Sequence, residues 1–397
     1  MSKLKVLTIF GTRPEAIKMA PVVMTLQRRP EQFDVLTCVT AQHRQMLDQA
    51  LVHFDLRPDF DLDIMQAGQD LFDVTSRCLL GLREVLRQVR PDICLVHGDT
   101  TTSFAAALAA FYEQIPVGHV EAGLRTQNRY SPFPEEINRG LTGRLASLHF
   151  APTASSRDNL LREGISAADI HVTGNTVIDA LRWTVARFQN LPEVRAQLHE
   201  QIVQTGYTVG QRPFVLITGH RRENFGEGFK NVCHALLRIA RQRPDIDLVY
   251  PLHLNPNVKL VVEELTAGQA NIHLIPPLEY EAFAYLMVQS RLILTDSGGV
   301  QEEGPSIGKP VLVMRDVTER PEALAAGSVR LVGTSTEKIV SHVLELLNDA
   351  QAYQAMTLVT NTYGDGKAAQ QIADILAATG PDLLPRRASP NPGAADR

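Results

Sequence analysis

The strongest constraint on this chain is a repeated alternation, in which short runs rich in Val, Ile and Leu are each followed by a longer amphipathic stretch. A short run that is apolar on both faces suits a strand buried in a parallel sheet. The stretch between suits the helix that crosses over the sheet to begin the next strand. The runs of the first half are Lys3–Phe10, Asp34–Thr40, Asp92–His97, Pro116–Glu121, Leu148–Ala151 and Ile170–Thr173. Those of the second half are Arg212–Gly219, Asp247–His253, Asn271–Ile275, Arg291–Thr295, Pro310–Met314 and Val329–Val332. Helical patterns occupy Glu15–Arg28, Asp70–Val89, Ser103–Glu113, Gly226–Gln242 and Glu279–Gln289. Two successive sets of this kind predict an α/β protein of two doubly wound, Rossmann-like domains rather than one very wide sheet.

The chain of 397 residues is long enough for two or three domains. The change of domain is expected after Gly174, because Val177–Gln204 reads as helix without an intervening strand. This places the domains at 1–174 and 175–366, with a C-terminal helix at 367–380 rejoining the first and a disordered, Pro-, Ala- and Arg-rich tail at 381–397. A net charge of −5 excludes a basic protein that coats nucleic acid. No apolar run reaches the length that spans a bilayer, and the N-terminus enters a strand pattern without a signal-peptide core, so a cytoplasmic protein with no membrane partner is expected. Cys38, Cys78, Cys94 and Cys233 are scattered, which disfavours a disulfide framework or a structural zinc site and fits a reducing compartment.

In open parallel sheets, ligands bind beyond the carboxyl ends of the strands, and the unusual residues of this chain lie there. After the first strand comes Phe10-Gly-Thr-Arg-Pro-Glu-Ala-Ile-Lys18, where Gly11 allows a tight turn, Pro14 opens a helix, and Arg13 and Lys18 flank its N-terminus. His97-Gly-Asp-Thr-Thr-Thr102 puts Asp99 in a turn, and His119-Val-Glu-Ala-Gly-Leu-Arg125 ends a buried strand on Glu121. An aperiodic segment then leads to Glu135-Glu136 at the start of a helix. Asp99, Glu121 and Glu135 thus converge on one strand-end rim. Such a carboxylate cluster suits general acid and base work near neutral pH. The pairs His97/Asp99 and His119/Glu121 also admit a metal-hydrolase reading if the strands extend that far, but H-x-D and H-x-E are loose patterns and no H-E-x-x-H or Cys–His cluster accompanies them. No metal is therefore expected.

The second half contributes Thr218-Gly-His-Arg-Arg-Glu-Asn224 at a strand end, and then Leu294-Thr-Asp-Ser-Gly-Gly-Val-Gln-Glu-Glu303. Two glycines between a strand and a helix let backbone N–H groups approach a phosphate, and Glu303, one helical turn further, can reach a ribose hydroxyl pair.

Taken in order, Phe10-Gly-Thr-Arg-Pro-Glu-Ala, His97-Gly-Asp-Thr, His119-Val-Glu-Ala-Gly-Leu-Arg, Pro134-Glu-Glu, Gly174-Asn-Thr-Val-Ile-Asp, Gly219-His-Arg-Arg-Glu-Asn and Asp296-Ser-Gly-Gly resemble the bacterial non-hydrolysing UDP-N-acetylglucosamine 2-epimerases. The likeness runs from Val6 to about Ala378. It implies a glycosyltransferase-B type fold, with two domains facing across a cleft that holds the site. It implies reversible epimerisation at C2 between UDP-N-acetylglucosamine and UDP-N-acetylmannosamine, by anti elimination of UDP and re-addition to 2-acetamidoglucal, supplying a precursor of cell-surface polysaccharide. It also implies a homodimer and no cofactor.

By the same resemblance, Asp99, Glu121, Glu135 and His220 match catalytic positions. Arg13, Lys18, Phe283, Ser297, Gly298, Gly299, Glu303 and Arg320 match positions that contact the nucleotide. Gln42, Gln45, Glu136, Arg221 and His253 match the site of an activating second UDP-N-acetylglucosamine. Leu278 departs from a polar residue of the family, and Gly68 stands where some relatives carry arginine. A UDP-sugar glycosyltransferase of the same architecture is the alternative. A non-catalytic nucleotide-sugar sensor would leave the three carboxylates without a role.

Overall fold

A computed structural model describes residues 3–42, 44–219, 221, 226–252, 256–318, 320–358 and 362–383. The chain forms two units, Met1–Ala180 with Gly366–Arg397, and Leu181–Asp365. The division falls inside the helix Thr176–Asn190.

The first unit is built on seven parallel strands, β1 (Leu4–Phe10), β2 (Phe33–Val39), β3 (Phe60–Asp61), β4 (Ile93–His97), β5 (Val117–Val120), β6 (Leu148–Ala151) and β7 (Ile170–Val172), in the order 3-2-1-4-5-6-7. β1 pairs with β2 and β4, so the direction of winding reverses between β1 and β4. A crevice opens at such a switch point. On one face of the sheet's centre Leu7, Ile9, Cys94 and Val96 are fully buried against Leu82, Leu86 and Ala106 of the covering helices, and on the other face Val6, Phe10 and Leu95 are fully buried too. β3 escaped the sequence reading. Two residues carry no measurable period, and the strand exists because Cys38 and Val39 offer it an edge.

The second unit repeats the plan with β8 (Phe214–Thr218), β9 (Asp247–Pro251), β10 (Ile272–Ile275), β11 (Leu292–Thr295), β12 (Val311–Val313) and β13 (Val329–Leu331), in the order 10-9-8-11-12-13. Its switch point lies between β8 and β11. Ile217, Leu236, Tyr250, Leu294 and Leu312 belong to its core. Both units are thus Rossmann-like, and the fold class read from the alternation holds.

The helix Ala368–Leu383 packs with the first unit, where Asp179 accepts hydrogen bonds from the N–H groups of Ala368 and Ala369 at 3.2 and 2.9 Å and Ile372 and Leu376 are fully buried. It ends at Leu383, three residues beyond the expected 380, and Thr379 Oγ1 donates back to Ile375 O at 2.7 Å. Of the tail expected at 381–397, residues 384–397 lie outside the described residues. No helix among the described residues is long and apolar enough to cross a membrane.

Candidate active site

The turn after β1 is held by one buried acid. A Cβ on Gly11 would stand 2.1 Å from Thr40 Oγ1 and 2.6 Å from Thr102 Oγ1, so only glycine fits where three strand ends meet. Pro14 occupies the first turn of the helix Arg13–Gln27, and Glu15 reaches back: its Oε2 accepts from Gly11 N (3.1 Å), Thr12 N (2.9 Å) and Thr12 Oγ1 (2.8 Å). Its Oε1 accepts from Thr100 Oγ1 (2.7 Å) and Ser103 Oγ (2.9 Å) in the turn after β4. Arg13 and Asp99, each next to a residue so held, inherit a fixed spacing across the switch point.

β4 ends at His97 and β5 at Val120, so neither Asp99 nor Glu121 lies on a strand. The strand expected over Pro116–Glu121 stops one residue early because Glu121 takes a left-handed backbone, φ +63°. A non-glycine residue pays for that conformation and keeps it only when its contacts compensate. Here they do. Glu121 Oε2 pairs with Lys18 Nζ and accepts from Asn175 Nδ2 at 2.7 Å, and the side chain is 7% exposed. The shared strand face that the metal reading required is therefore absent.

Asp99 Oδ2 accepts from Arg139 Nε and Nη2, both at 2.8 Å. Burial pushes the Asp99 carboxyl above the ordinary range, Arg139 pulls against it, and the nearby Glu121 charge adds to the rise. Two neighbouring carboxylates are thus held by different cations, Glu121 by Lys18 and Asp99 by Arg139. Different surroundings of this kind separate a proton donor from a proton acceptor. Glu135 opens the helix Glu135–Leu145 and stands half-buried, one residue before Glu136 and one turn before Arg139.

Two buried histidines, His97 and His119, lie at this rim, and a third, His149, is buried on β6 beside His119. Burial lowers His97 to about 4, His119 to about 3 and His149 to about 4, so all three are neutral at pH 7. His119 Nε2 lies 2.7 Å from Gly98 O, and since a carbonyl only accepts, that nitrogen carries the proton. His97 Nε2 is 3.8 Å from Glu121 Oε2. Among the described residues no group of His, Cys, Asp or Glu is arranged to hold a metal ion.

In the second unit β11 ends at Thr295, whose Oγ1 accepts from Ser297 N at 2.9 Å, and the helix Gly298–Ser306 begins. A Cβ on Gly298 would lie 3.6 Å from both the Arg221 and Arg320 guanidiniums, so two cations bracket a helix N-terminus. That combination suits a phosphate. Gly304 serves packing, since a Cβ there would stand 2.5 Å from Val311 Cγ2. Glu302 Oε1 accepts from Arg320 Nε at 2.8 Å. Glu303 Oε1 accepts from the Tyr280 hydroxyl at 3.0 Å, while Oε2 lies 3.7 Å from the Cβ position of Gly299. Phe283 stands half-buried on the helix Tyr280–Gln289.

The structure therefore gathers Asp99, Glu121, Lys18 and Arg139 in the first unit, and Ser297, Gly298, Gly299, Glu303, Arg320 and Arg221 in the second. His220 and His253 lie outside the described residues. Of the positions matched to an activator, Gln42 Oε1 accepts from Thr102 Oγ1 at 3.1 Å, Gln45 is exposed on the helix Arg44–His53, and Glu136 is buried. Arg221 N donates to Asp296 Oδ2 at 2.8 Å. Arg139, Asn175, Glu15 and Tyr280 were missed as site residues. Arg139 follows Glu135 by four positions, a helical spacing that the sequence did display. Asn175 stood in the Gly174-Asn-Thr motif, but nothing in the sequence paired it with Glu121, because only the return of the chain after β7 brings the two together.

Residues 24–377 match the model of a family described as UDP-N-acetylglucosamine 2-epimerase. The chain is 57% identical to the UDP-N-acetylglucosamine 2-epimerase of Yersinia pestis over 373 residues, covering 94% of this chain and 98% of that protein. Among solved structures, that of the UDP-GlcNAc 2-epimerase of Neisseria meningitidis, bound to UDP-GlcNAc, is 50% identical with a TM-score of 0.87, covering 94% of this chain and all of that one. A glycosyltransferase of Rickettsia africae, 14% identical with a TM-score of 0.61 over 97% of this chain and 99% of that one, shares the fold alone. Two Rossmann-like units with a carboxylate rim in one and a bracketed helix N-terminus in the other fit that kinship, and the chain belongs to the UDP-N-acetylglucosamine 2-epimerase family.

Proposed function

We propose that this protein interconverts UDP-N-acetylglucosamine and UDP-N-acetylmannosamine by eliminating UDP, returning a proton to C2 on the other face of the glucal, and adding UDP back. The observation that carries this reading is the pair of differently held carboxylates, Asp99 on Arg139 and Glu121 on Lys18, in a family with a relative bound to UDP-GlcNAc. A C2–H beside an acetal is a poor acid. It becomes removable as the C1–O bond breaks and positive charge develops at C1. The chemistry asks for a base on one face, a donor on the other, and stabilisation of the departing diphosphate. We assign the first two to Asp99, Glu121 and Glu135, with His220. We assign the third to the Ser297-Gly298-Gly299 turn with Arg320 and Arg13, and the ribose to Glu303, with Phe283 against the nucleotide. Lys18, matched by resemblance to a nucleotide contact, is better supported as the counter-ion of Glu121.

Proton NMR of UDP-N-acetylglucosamine with the enzyme in deuterated water, with no acceptor added, tests the whole reading. The mannosamine isomer appears, and deuterium enters C2 of both epimers. Retention of the original C2 proton throughout turnover would sink the elimination route. Transfer of sugar only when an acceptor is supplied would favour a glycosyltransferase.

We further assign a homodimer, in which a groove between the helices Leu71–Val89 and Thr101–Tyr112, lined by Leu79, Leu80, Ala109 and Tyr112 and flanked by Arg83, Arg87 and Glu113, seats the partner, because Leu80 and Tyr112 are exposed there. Sedimentation of the wild type against Leu80→Glu decides it. The four buried free thiols support a cytoplasmic setting. An activating second substrate at Gln42, Gln45, Glu136, Arg221 and His253 predicts a lag when the reaction starts from pure UDP-N-acetylmannosamine, abolished by a trace of the glucose epimer.

A further inference from the structure

The first turns of the helix Glu135–Leu145 carry more than Glu135. Three of their side chains, Glu136, Asn138 and Arg139, are buried to 6–7% exposure. Arg139 presents its guanidinium edge to two acids. Nε and Nη2 reach Asp99 Oδ2 at 2.8 Å, and Nη1 reaches Glu136 Oε2 at 3.0 Å. Glu136 is held from the other side by backbone: Thr126 N donates to its two oxygens at 3.1 and 3.0 Å, and Gln127 N donates to Oε1 at 2.8 Å. Asn138 Nδ2 donates to Asp99 O at 3.0 Å, which fixes the turn that carries the carboxylate.

We propose that Arg139 is a positioning residue that favours the ionised form of Asp99, and that Glu136 sets how strongly it does so by competing for the same guanidinium. This rests on Asp99 being catalytic, as proposed above.

The charge arithmetic is local. Asp99 faces Arg139 from this helix, Glu121 from the turn after β5 and Lys18 from the helix Arg13–Gln27. Two acids and one guanidinium share the Asp99–Arg139–Glu136 chain. Burial works against the Glu136 charge, but the two N–H donors and Arg139 outweigh it and hold its carboxyl below the usual range. While Thr126 and Gln127 supply those N–H groups, Glu136 needs less from Arg139, and two N–H bonds remain for Asp99. Withdrawal of the segment would turn Glu136 back on Arg139 and weaken its grip on Asp99. The seating of Thr126–Gln127 is thereby linked to the charge of a proposed catalytic carboxylate more than twenty residues earlier in the chain.

Opposed variants test this. Removing the cation (Arg139→Gln) raises the acid limb of kcat by about one pH unit or more, the usual worth of an adjacent Arg to an Asp. Removing the competing acid (Glu136→Gln) lowers it. Arg139→Lys restores part of the wild-type limb. The same shifts are read without turnover by 13C NMR of labelled Asp carboxylates, the Asp99 signal being identified by its loss in Asp99→Asn. A role in folding alone moves melting temperature and kcat but leaves the acid limb and the Asp99 titration where they were, and that outcome overturns the proposal. Displacement of both variants in the same direction also overturns it. If Asp99→Asn keeps full activity while the NMR shifts appear, the catalytic assignment of Asp99 fails and the positioning by Arg139 stands.

Discussion

Thr100 Oγ1 donates to Glu15 Oε1 at 2.7 Å, joining the turn that follows β4 to the turn that follows β1 across 85 positions of sequence. Five donors meet on Glu15, two of them backbone N–H groups, and no basic side chain is among them. Burial raises its carboxyl, while the Thr100, Thr12 and Ser103 hydroxyls and Gly11 N–H resist the rise. Glu15→Ala leaves buried donors without an acceptor and should cost about 2–4 kcal/mol in urea denaturation. Glu15→Gln, which keeps the shape and one oxygen, should cost less while still lowering kcat, because Arg13 and Asp99 lose their common anchor. Unchanged stability in Glu15→Ala would refute the anchoring role.

Asp99→Asn, Glu121→Gln and Glu135→Gln each preserve size and lose proton transfer. Each should lower kcat by roughly 10²–10⁴-fold, the range of positioned acid–base catalysis, with UDP affinity little changed in calorimetry. The helix Thr101–Tyr112 is capped by Thr100, whose Oγ1 accepts from Ser103 N at 3.0 Å, so survival of activity in Asp99→Asn would remove Asp99 from the chemistry. Parallel loss of UDP binding in all three would contradict the division of labour between the units.

Tyr280 stands half-buried beside Glu303, and the enclosure of its hydroxyl with that neighbouring acid raises it well above the ordinary value, so it remains a donor. Glu303→Ala should weaken UDP binding by about 1–3 kcal/mol. Tyr280→Phe should weaken it by about 0.5–1.5 kcal/mol, the net worth of one such bond. A larger loss for UDP than for 2′,3′-dideoxy-UDP in both variants would assign the carboxylate to the ribose hydroxyls. Equal losses would assign it elsewhere.

His97, His119 and His149 are held neutral by burial, with folded values of about 4, 3 and 4. Between the unfolded value near 6.5 and these, the unfolded chain binds protons that the folded chain refuses. Stability is therefore full above about pH 6.5 and falls as the pH drops toward 4. Urea midpoints measured from pH 7.5 to 4.5 should decline, and His149→Gln should remove on the order of 2 kcal/mol of that decline. A midpoint independent of pH over this window would refute the burial argument.

Proton transfer is proposed for Asp99, Glu121 and Glu135 without a metal, and His119 spends one nitrogen on Gly98 O. Epimerisation should survive dialysis against EDTA with kcat unchanged. A loss restored stoichiometrically by zinc or manganese would revive the hydrolase reading of His97, Asp99, His119 and Glu121.

Much of the second unit's turn at Ser297-Gly298-Gly299 was legible because a strand, two glycines and a helix are neighbours in sequence, and local geometry there follows from local composition. The same holds for the strands of both sheets, apart from the two-residue β3. The partners of the carboxylates were not legible. Lys18 and Glu121 lie 103 positions apart, Asn175 and Glu121 54, and Arg139 and Asp99 40.

The sequence by itself determined the alternation of buried strand and covering helix, the placing of acids and glycines at strand ends, and the helical spacing from Glu135 to Arg139. Each follows from side-chain period and backbone freedom within a few residues. Only the tertiary structure decided which acid meets which cation. The strand order 3-2-1-4-5-6-7 makes β1 and β4 neighbours although two strands intervene in the chain, and it therefore sets the turns bearing Arg13 and Asp99 side by side. The left-handed backbone of Glu121 was also beyond local reading, for no property of glutamate favours it. It persists because Lys18 and Asn175, brought from opposite ends of the unit, compensate for its cost.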